Sequence, residues 1–108
     1  MEWDKKRALE ELGIPEGFYL QLVEGFVNQS EAAILDLEKA FLERNFEKVA
    51  KAAHYIKGAA GNLRIEEIHV TAKELESVAK ASKNIGTIEE QLKCLKGLLK
   101  SLKDLMEE

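Results

Sequence analysis

The chain has 108 residues, of which 45% are hydrophobic and 33% charged, and its formal net charge is -4. This length allows one domain over residues 1–108, and the acidic balance gives no basic surface for nucleic acid. The single cysteine excludes an internal disulfide and a Cys-based zinc site, and no apolar run approaches the roughly 18 residues that a bilayer span needs.

The N-terminal half predicts two or three helices. Asp4 is typical of the N-cap of a short first helix that ends near Gly13. Pro15 suits the first turn of a second helix. Polar residues 28–30 interrupt its apolar spacing, so we expect Ser30 to cap a third helix, with a kink in one longer helix as the alternative. The apolar residues at helical spacing are Leu9, Leu12, Phe18, Leu22, Phe26, Ile34, Leu37 and Phe41.

The C-terminal half predicts three further helices. Residues 44–45 indicate a tight connection, after which the next helix begins near Phe46. Asn84 and Gly86 indicate a stop, and residues 87–90 form a capping box that opens the last helix. The apolar positions are Val49, Ala53, Ile56, Ala60 and Leu63, then Ile65, Ile68, Ala72, Leu75 and Ala79, then Ile88, Leu92, Leu95, Leu99, Leu102 and Met106. We predict an all-α fold, an antiparallel four-helix bundle with an additional short N-terminal helix.

Two glycines interrupt the helix that begins near Phe46. A glycine inside a helix lowers stability by about 1 kcal/mol relative to alanine. We therefore expect Gly58 and Gly61 to serve a structural or functional purpose. At about 100° per residue, His54 lies about 130° from the apolar side of this helix, and both glycines lie within about 40° of His54. We therefore expect the His54 side chain to point to solvent, with bare backbone around it.

Other small and basic residues accompany this histidine. Ala50 lies one turn before His54, and Lys51 and Lys57 lie three residues before and after it. A neutral imidazole nitrogen can attack a phosphoryl group, and ammonium groups can offset the charge on phosphate oxygens. The alternative is an ordinary surface histidine beside glycines that allow close helix packing.

Residues 53–63, AHYIKGAAGNL, closely resemble the signature of histidine-containing phosphotransfer (HPt) domains. The resemblance implies that His54 is phosphorylated through its Nε2 atom, that Lys57 assists, and that Gly58 keeps the site open. It also implies two partners, a hybrid sensor histidine kinase and the receiver domain of a response regulator that provides an aspartate and Mg²⁺. The family usually has Gly where this chain has Arg64. We expect the helix to run slightly further there, and the alternative is an added positive charge near the docking surface.

The lone thiol fits a reducing compartment, so we expect a cytoplasmic protein, and the sequence has no nucleotide-binding motif such as a P-loop. We expect a monomeric phosphocarrier with no cofactor, metal or nucleotide site of its own. Two alternatives stay open: a non-catalytic helical-bundle interaction module, and the phosphotransfer portion of a larger hybrid or chemotaxis-type kinase. The further candidate binding residues are Ala50, Lys51, Gly61, Asn62 and Arg64.

Other conspicuous residues have plainer interpretations. We expect His69 to be a partly exposed surface histidine, Cys94 to be a small core residue, and Trp3 to pack the N-terminal helix down. The face that His69 shares with Lys73, Glu76 and Lys80 either borders the site or is a solvated charged surface. Leu9, Leu12 and Ile14 are candidates for a docking surface together with exposed parts of the second helix.

Overall fold

A computed structural model describes residues 1–82 and 84–107. The chain forms five α-helices: α1 (Lys5–Leu12), α2 (Glu16–Leu42), α3 (Phe46–Asn62), α4 (Glu66–Ala81) and α5 (Ile85–Met106). Residues 1–82 and 84–107 contain no β-strand, so the all-α prediction is confirmed. None of the helices in this part of the chain combines the length and the apolar character that crossing a membrane requires.

The predicted break at residues 28–30 is wrong, because α2 continues through it without interruption. Asn28 and Gln29 are simply solvent-facing positions of the helix. Ser30 is fully buried in the middle of α2, and its hydroxyl group has no hydrogen-bond partner among residues 1–82 and 84–107. A polar stretch in the sequence therefore marked one exposed turn and one small core residue rather than a helix end.

The predicted start of the last helix is displaced by one turn. Asn84 is the N-cap of α5, and its side chain accepts a hydrogen bond from the backbone nitrogen of Thr87 at 3.1 Å. The predicted capping box and Gly86 therefore lie inside the helix. Cys94 on α5 is exposed, contrary to the expected core position. The caps predicted at the other end of the chain are found, with Asp4 accepting from the Arg7 nitrogen at 3.0 Å.

Two hydrogen bonds define the relative direction of α2 and α3. Tyr19 donates a hydrogen bond to the carbonyl oxygen of Leu63 at 2.7 Å, and Tyr55 donates to Gln29 at 2.5 Å, so α2 and α3 run antiparallel. The helices in contact are α2 with α3, α3 with α4, α4 with α5, and α5 with α2. Trp3 packs the N-terminal segment onto α2, as predicted, and donates from Nε1 to the Tyr19 hydroxyl group at 3.2 Å.

The two arginines that follow α2 and α3 make sharp turns possible. Arg44 and Arg64 have left-handed backbone angles, with φ values of 58° and 60°. Each donates a hydrogen bond from Nη1 to the carbonyl oxygen three residues before it, Arg44 to Phe41 at 2.8 Å and Arg64 to Gly61 at 3.0 Å. Because the backbone nitrogen of each arginine already donates to the same carbonyl oxygen, at 3.0 Å for Arg44 and 3.1 Å for Arg64, the side chain adds a second hydrogen bond that fastens the turn to the helix end. The prediction that α3 extends through Arg64 is therefore wrong.

Replacing Arg64 with Ala should lower the free energy of unfolding by about 1–2 kcal/mol, because the hydrogen bonds of its side chain at the helix end are lost. The strain of the left-handed backbone is not relieved, since alanine also has a Cβ atom. Arg64→Gly should stay within about 0.5 kcal/mol of the wild type, since glycine relieves the strain while losing the same bonds. Urea unfolding followed by circular dichroism measures both. Equal stability of Arg64→Ala and the wild type would contradict the capping role.

Candidate functional site

The imidazole of His54 stands on the exposed side of α3, with 65% of its side chain accessible to solvent. The Nδ1 atom lies 2.8 Å from Oε2 of Glu76, which reaches across from α4. Solvent exposure of the ring is what the helical periodicity predicted. The ring is nevertheless not free to turn, because one of its two nitrogens is held by a group on the neighbouring helix.

Glu76 is a buried carboxylate, with a relative accessibility of 6%. Its Oε1 accepts a hydrogen bond from Nζ of Lys57 at 2.8 Å, and Nζ of Lys80 lies 3.1 Å from Oε2. The hydrogen bond from Lys57 is the largest cause that lowers the pKa of Glu76 from 4.5 to about 2. Hydrogen bonds from Lys80 and His54 act in the same direction, while desolvation opposes them. The carboxylate is therefore ionised at neutral pH.

An ionised carboxylate can only accept hydrogen bonds, so the proton between His54 and Glu76 belongs to Nδ1 of His54. In the neutral imidazole, the second nitrogen, Nε2, then has no proton and carries a free lone pair. The geometry thus selects one tautomer of His54 and leaves Nε2 able to act as a nucleophile. The resemblance of the motif implied this same atom.

The surroundings of His54 are open on α3. A Cβ atom built on Gly58 would meet no atom within 4 Å, and the residue is exposed. On the other side, a cavity of about 460 Å³ between α3 and α4 is lined by His54 together with Ala50, Lys51 and Lys80. Ala50 is buried beneath it, whereas Lys51 and Lys80 are exposed. A large reactant can approach the ring without displacing a side chain of α3 at Gly58.

Comparison with known proteins places the chain in a family. The profile of the Hpt domain matches residues 21–108 of the chain. The chain belongs to the Hpt domain family. One relative is the phosphorelay intermediate protein YPD1 of Candida albicans, which is 34% identical over 62 residues, or 57% of this chain. The match spans 34% of the length of that relative. No solved structure matches the chain.

Arg64, the residue that departs from the family motif, forms an ion pair with an acidic residue of α1. In this Hpt domain, Arg64 donates from Nε to Oε1 of Glu11 on α1 at 3.0 Å, and Arg7 donates to the other oxygen of Glu11 at 3.0 Å. The hydrogen bond from Arg7 is the largest cause that lowers the pKa of Glu11. Arg64 therefore ties α1 to the end of α3, where its carbonyl partners are Gly61 and the exposed last residue of the helix, Asn62.

Gly61 does not have the role that its position on the helix predicted. A Cβ atom on Gly61 would lie 3.0 Å from Nδ1 and 3.2 Å from Cε1 of His69 on α4. The glycine therefore makes room for a neighbouring ring rather than baring the surface around His54. The helical-wheel estimate placed both glycines close to His54, but only Gly58 has open space beside it.

Glu76 is the residue of the candidate site that the sequence analysis did not single out. It was grouped with charged residues that either border the site or form a solvated surface. Its burial excludes the second interpretation for Glu76 itself, although Lys73 and Lys80 on the same helix are exposed. The sequence did contain one signal for Glu76, because Glu76 and Lys80 are four residues apart and therefore lie on one face of α4. The structure shows that α4 packs closely on α3, the helix that carries His54.

Proposed function

We propose that this Hpt domain is a phosphorelay intermediate that carries a phosphoryl group on Nε2 of His54, between aspartates of response-regulator receiver domains. The observation that carries the proposal is the pair His54 and Glu76. A solvent-exposed imidazole is oriented by a buried, ionised carboxylate, and the backbone beside it is bare at Gly58. An ordinary surface histidine would need neither a buried carboxylate to orient it nor bare backbone beside it.

The Nδ1-protonated tautomer of His54 determines how the phosphoryl group is transferred. The Nε2 lone pair attacks phosphorus, and a nitrogen–phosphorus bond forms while the bond between phosphorus and the aspartyl oxygen of the receiver breaks. The aspartate leaves as a carboxylate. The imidazole keeps its proton on Nδ1 and becomes positively charged, and ionised Glu76 at 2.8 Å stabilises that charge. The same steps in reverse pass the group to the next aspartate.

Cations around the site support the transfer. Lys57 keeps Glu76 ionised and places an ammonium group on the face that carries His54. Lys51 and Lys80 line the adjacent cavity and can approach phosphate oxygens. The Hpt domain itself then needs no cofactor, and Mg²⁺ belongs to the receiver domain, where it offsets charge on the phosphoryl group.

The partner would dock on an apolar surface next to His54. Tyr55, the next residue, is 50% exposed, and Phe18 and Leu22 on α2 are 52% and 41% exposed. The pairing of Tyr55 with Gln29 and of Tyr19 with Leu63 places this surface between the level of His54 and the end of α3. Apolar surface of this kind marks protein interaction sites. The expected contributors Leu9, Leu12 and Ile14 are partly buried against the core and would serve at its edge.

The chain acts as one domain over residues 1–108, with α2–α5 arranged as an antiparallel four-helix bundle and α1 attached at one end. The antiparallel direction of α2 and α3, and the contacts of α3 with α4, of α4 with α5 and of α5 with α2, support this arrangement. It acts as a monomer in the cytoplasm, since one copy contains every residue of the site and the lone thiol suits a reducing compartment.

The test is incubation of the protein with a phosphorylated receiver domain and Mg²⁺. We expect acid-labile, alkali-stable label on the wild type and none on His54→Gln, whose circular dichroism spectrum should remain that of the wild type. Because the side chain of His54 is mostly exposed, its loss should leave the core intact. Label on His54→Gln would refute the site. Receiver binding without transfer by the wild type would instead indicate an interaction module.

A further inference from the structure

The second histidine of the chain is bonded to the helix that carries the first. Nδ1 of His69 on α4 lies 2.9 Å from the backbone carbonyl oxygen of Lys57 on α3. A carbonyl oxygen only accepts hydrogen bonds, so Nδ1 of His69 carries a proton and donates it. His69 is partly buried. It is therefore a cross-link between two helices rather than a plain surface residue.

Gly61 leaves the space that the His69 ring occupies beside α3. Because a Cβ atom at position 61 would lie 3.0 Å from Nδ1 of His69, any larger residue would require the ring to shift by a few tenths of an ångström from its place against the Lys57 carbonyl oxygen. Glycine in a helix interior is unfavourable by about 1 kcal/mol relative to alanine. The close approach of the imidazole gives a structural reason for this glycine that is separate from the open space at Gly58.

The cross-link acts on the same residue as the Glu76 carboxylate. His69 and Glu76 are seven residues apart, two turns along one side of α4 and about 10 Å apart along its axis. His69 holds the backbone of Lys57, while Glu76 holds its ammonium group and Nδ1 of His54. Two attachments at different heights oppose both sliding and rotation of α3 against α4, which one attachment alone would allow.

We propose that His69, seated on Gly61, is a positioning residue for the transfer: it fixes Lys57 so that Lys57 and His54 meet Glu76 in the productive geometry. The inference rests on the proposed function of His54. It assigns His69 no contact with the phosphoryl group and no metal. Its effect is transmitted through Lys57 and Glu76 to the tautomer and orientation of the His54 ring.

A pair of variants of equal size tests the proposal. His69→Asn places an amide nitrogen near the position of Nδ1 and can still donate to the Lys57 carbonyl oxygen, whereas His69→Leu has a similar shape and no donor. We expect His69→Leu to take up the phosphoryl group from a phosphorylated receiver domain about tenfold more slowly, and His69→Asn to stay within about twofold of the wild type. Nitrogen-15 NMR should show the Nδ1-protonated tautomer of His54 in the wild type and His69→Asn, and a mixture in His69→Leu.

The outcomes separate this inference from the proposed function. A wild type that takes up no label refutes the function, whereas uptake and a His54 tautomer in His69→Leu equal to those of the wild type overturn the inference alone. If His69→Leu does not fold, Gly61→Ala provides the second test, because its Cβ atom would shift the ring by a few tenths of an ångström while improving the helix propensity of α3. Slower uptake by Gly61→Ala supports the role of His69, and uptake at the wild-type rate overturns it.

Discussion

Replacing Gly58 with Gln is expected to make the protein slightly more stable and to lower the rate of phosphoryl transfer about 100-fold or more. Glutamine has a better helix propensity than glycine, by about 0.5 kcal/mol, and the structure offers open space for its Cβ atom. The longer side chain, one turn from His54, would occupy the space through which the receiver domain approaches Nε2. A misplacement of reacting atoms by about 1 Å is enough for a 100-fold loss.

The chain offers a matched control on α5. Gly97 is also an exposed, helix-interior glycine whose Cβ atom would meet nothing within 4 Å. Gly97→Gln should therefore gain similar stability in urea unfolding and transfer the phosphoryl group at the wild-type rate. Single-turnover uptake of label from a phosphorylated receiver domain measures the difference. If Gly58→Gln transfers as fast as Gly97→Gln, the bare backbone at Gly58 is not needed for access.

The helices could be predicted from the sequence wherever a local signal set their ends. Asp4 is the side-chain cap of α1, as its type and spacing predicted, and α3 begins at Phe46 as expected, directly after its cap Asn45. Asn84 caps α5, whereas the prediction placed this cap one turn later. The errors occurred where one residue type serves two purposes. Ser30 resembles a cap, yet it is a buried residue of a continuous helix. Arg64 was read as a continuation of α3, but its guanidinium group caps that helix from a left-handed backbone.

The site could be predicted to the extent that it lies on one helix. The exposure of His54 and the openness at Gly58 follow from the period of α3 alone. Glu76 and His69 come from α4, 22 and 15 residues further along the chain, and their contacts depend on how the two helices are rotated against each other. A helical wheel contains no such information. For the same reason it placed Gly61 beside His54, when the glycine in fact faces His69.

Replacing Glu76 with Gln is expected to lower the transfer rate about tenfold, and Glu76→Leu about 100-fold. Glutamine can still accept a hydrogen bond from Nδ1 of His54 but has no charge to stabilise the imidazolium that forms during transfer. Leucine also removes the acceptor, so the ring loses its fixed tautomer. Single-turnover transfer kinetics measure both effects. Glu74→Gln, which removes the charge of an exposed carboxylate on the same helix, should transfer at the wild-type rate.

The dependence of stability on pH distinguishes the charge of Glu76 from its shape. The pKa of Glu76 is about 2 in the folded protein and near its ordinary value of 4.5 in the unfolded chain. A depressed folded pKa contributes stability above about pH 4.5, and that contribution is lost as the pH falls from 4.5 towards 2. With allowance for screening at the exposed ends of the network, Glu76→Gln should be about 2 kcal/mol less stable than the wild type at pH 7.

This difference should shrink to about 0.5 kcal/mol or less near pH 2, where about half of the wild-type carboxyl groups are protonated in the folded protein and resemble the amide. Glu74→Gln should differ from the wild type by less than about 0.5 kcal/mol at both pH values. Urea unfolding across this pH range provides the measurement. A stability difference between Glu76→Gln and the wild type that stays constant from pH 7 to pH 2 would mean that the amide disturbs packing. The ionised carboxylate would then not be the group that holds His54 and Lys57 together.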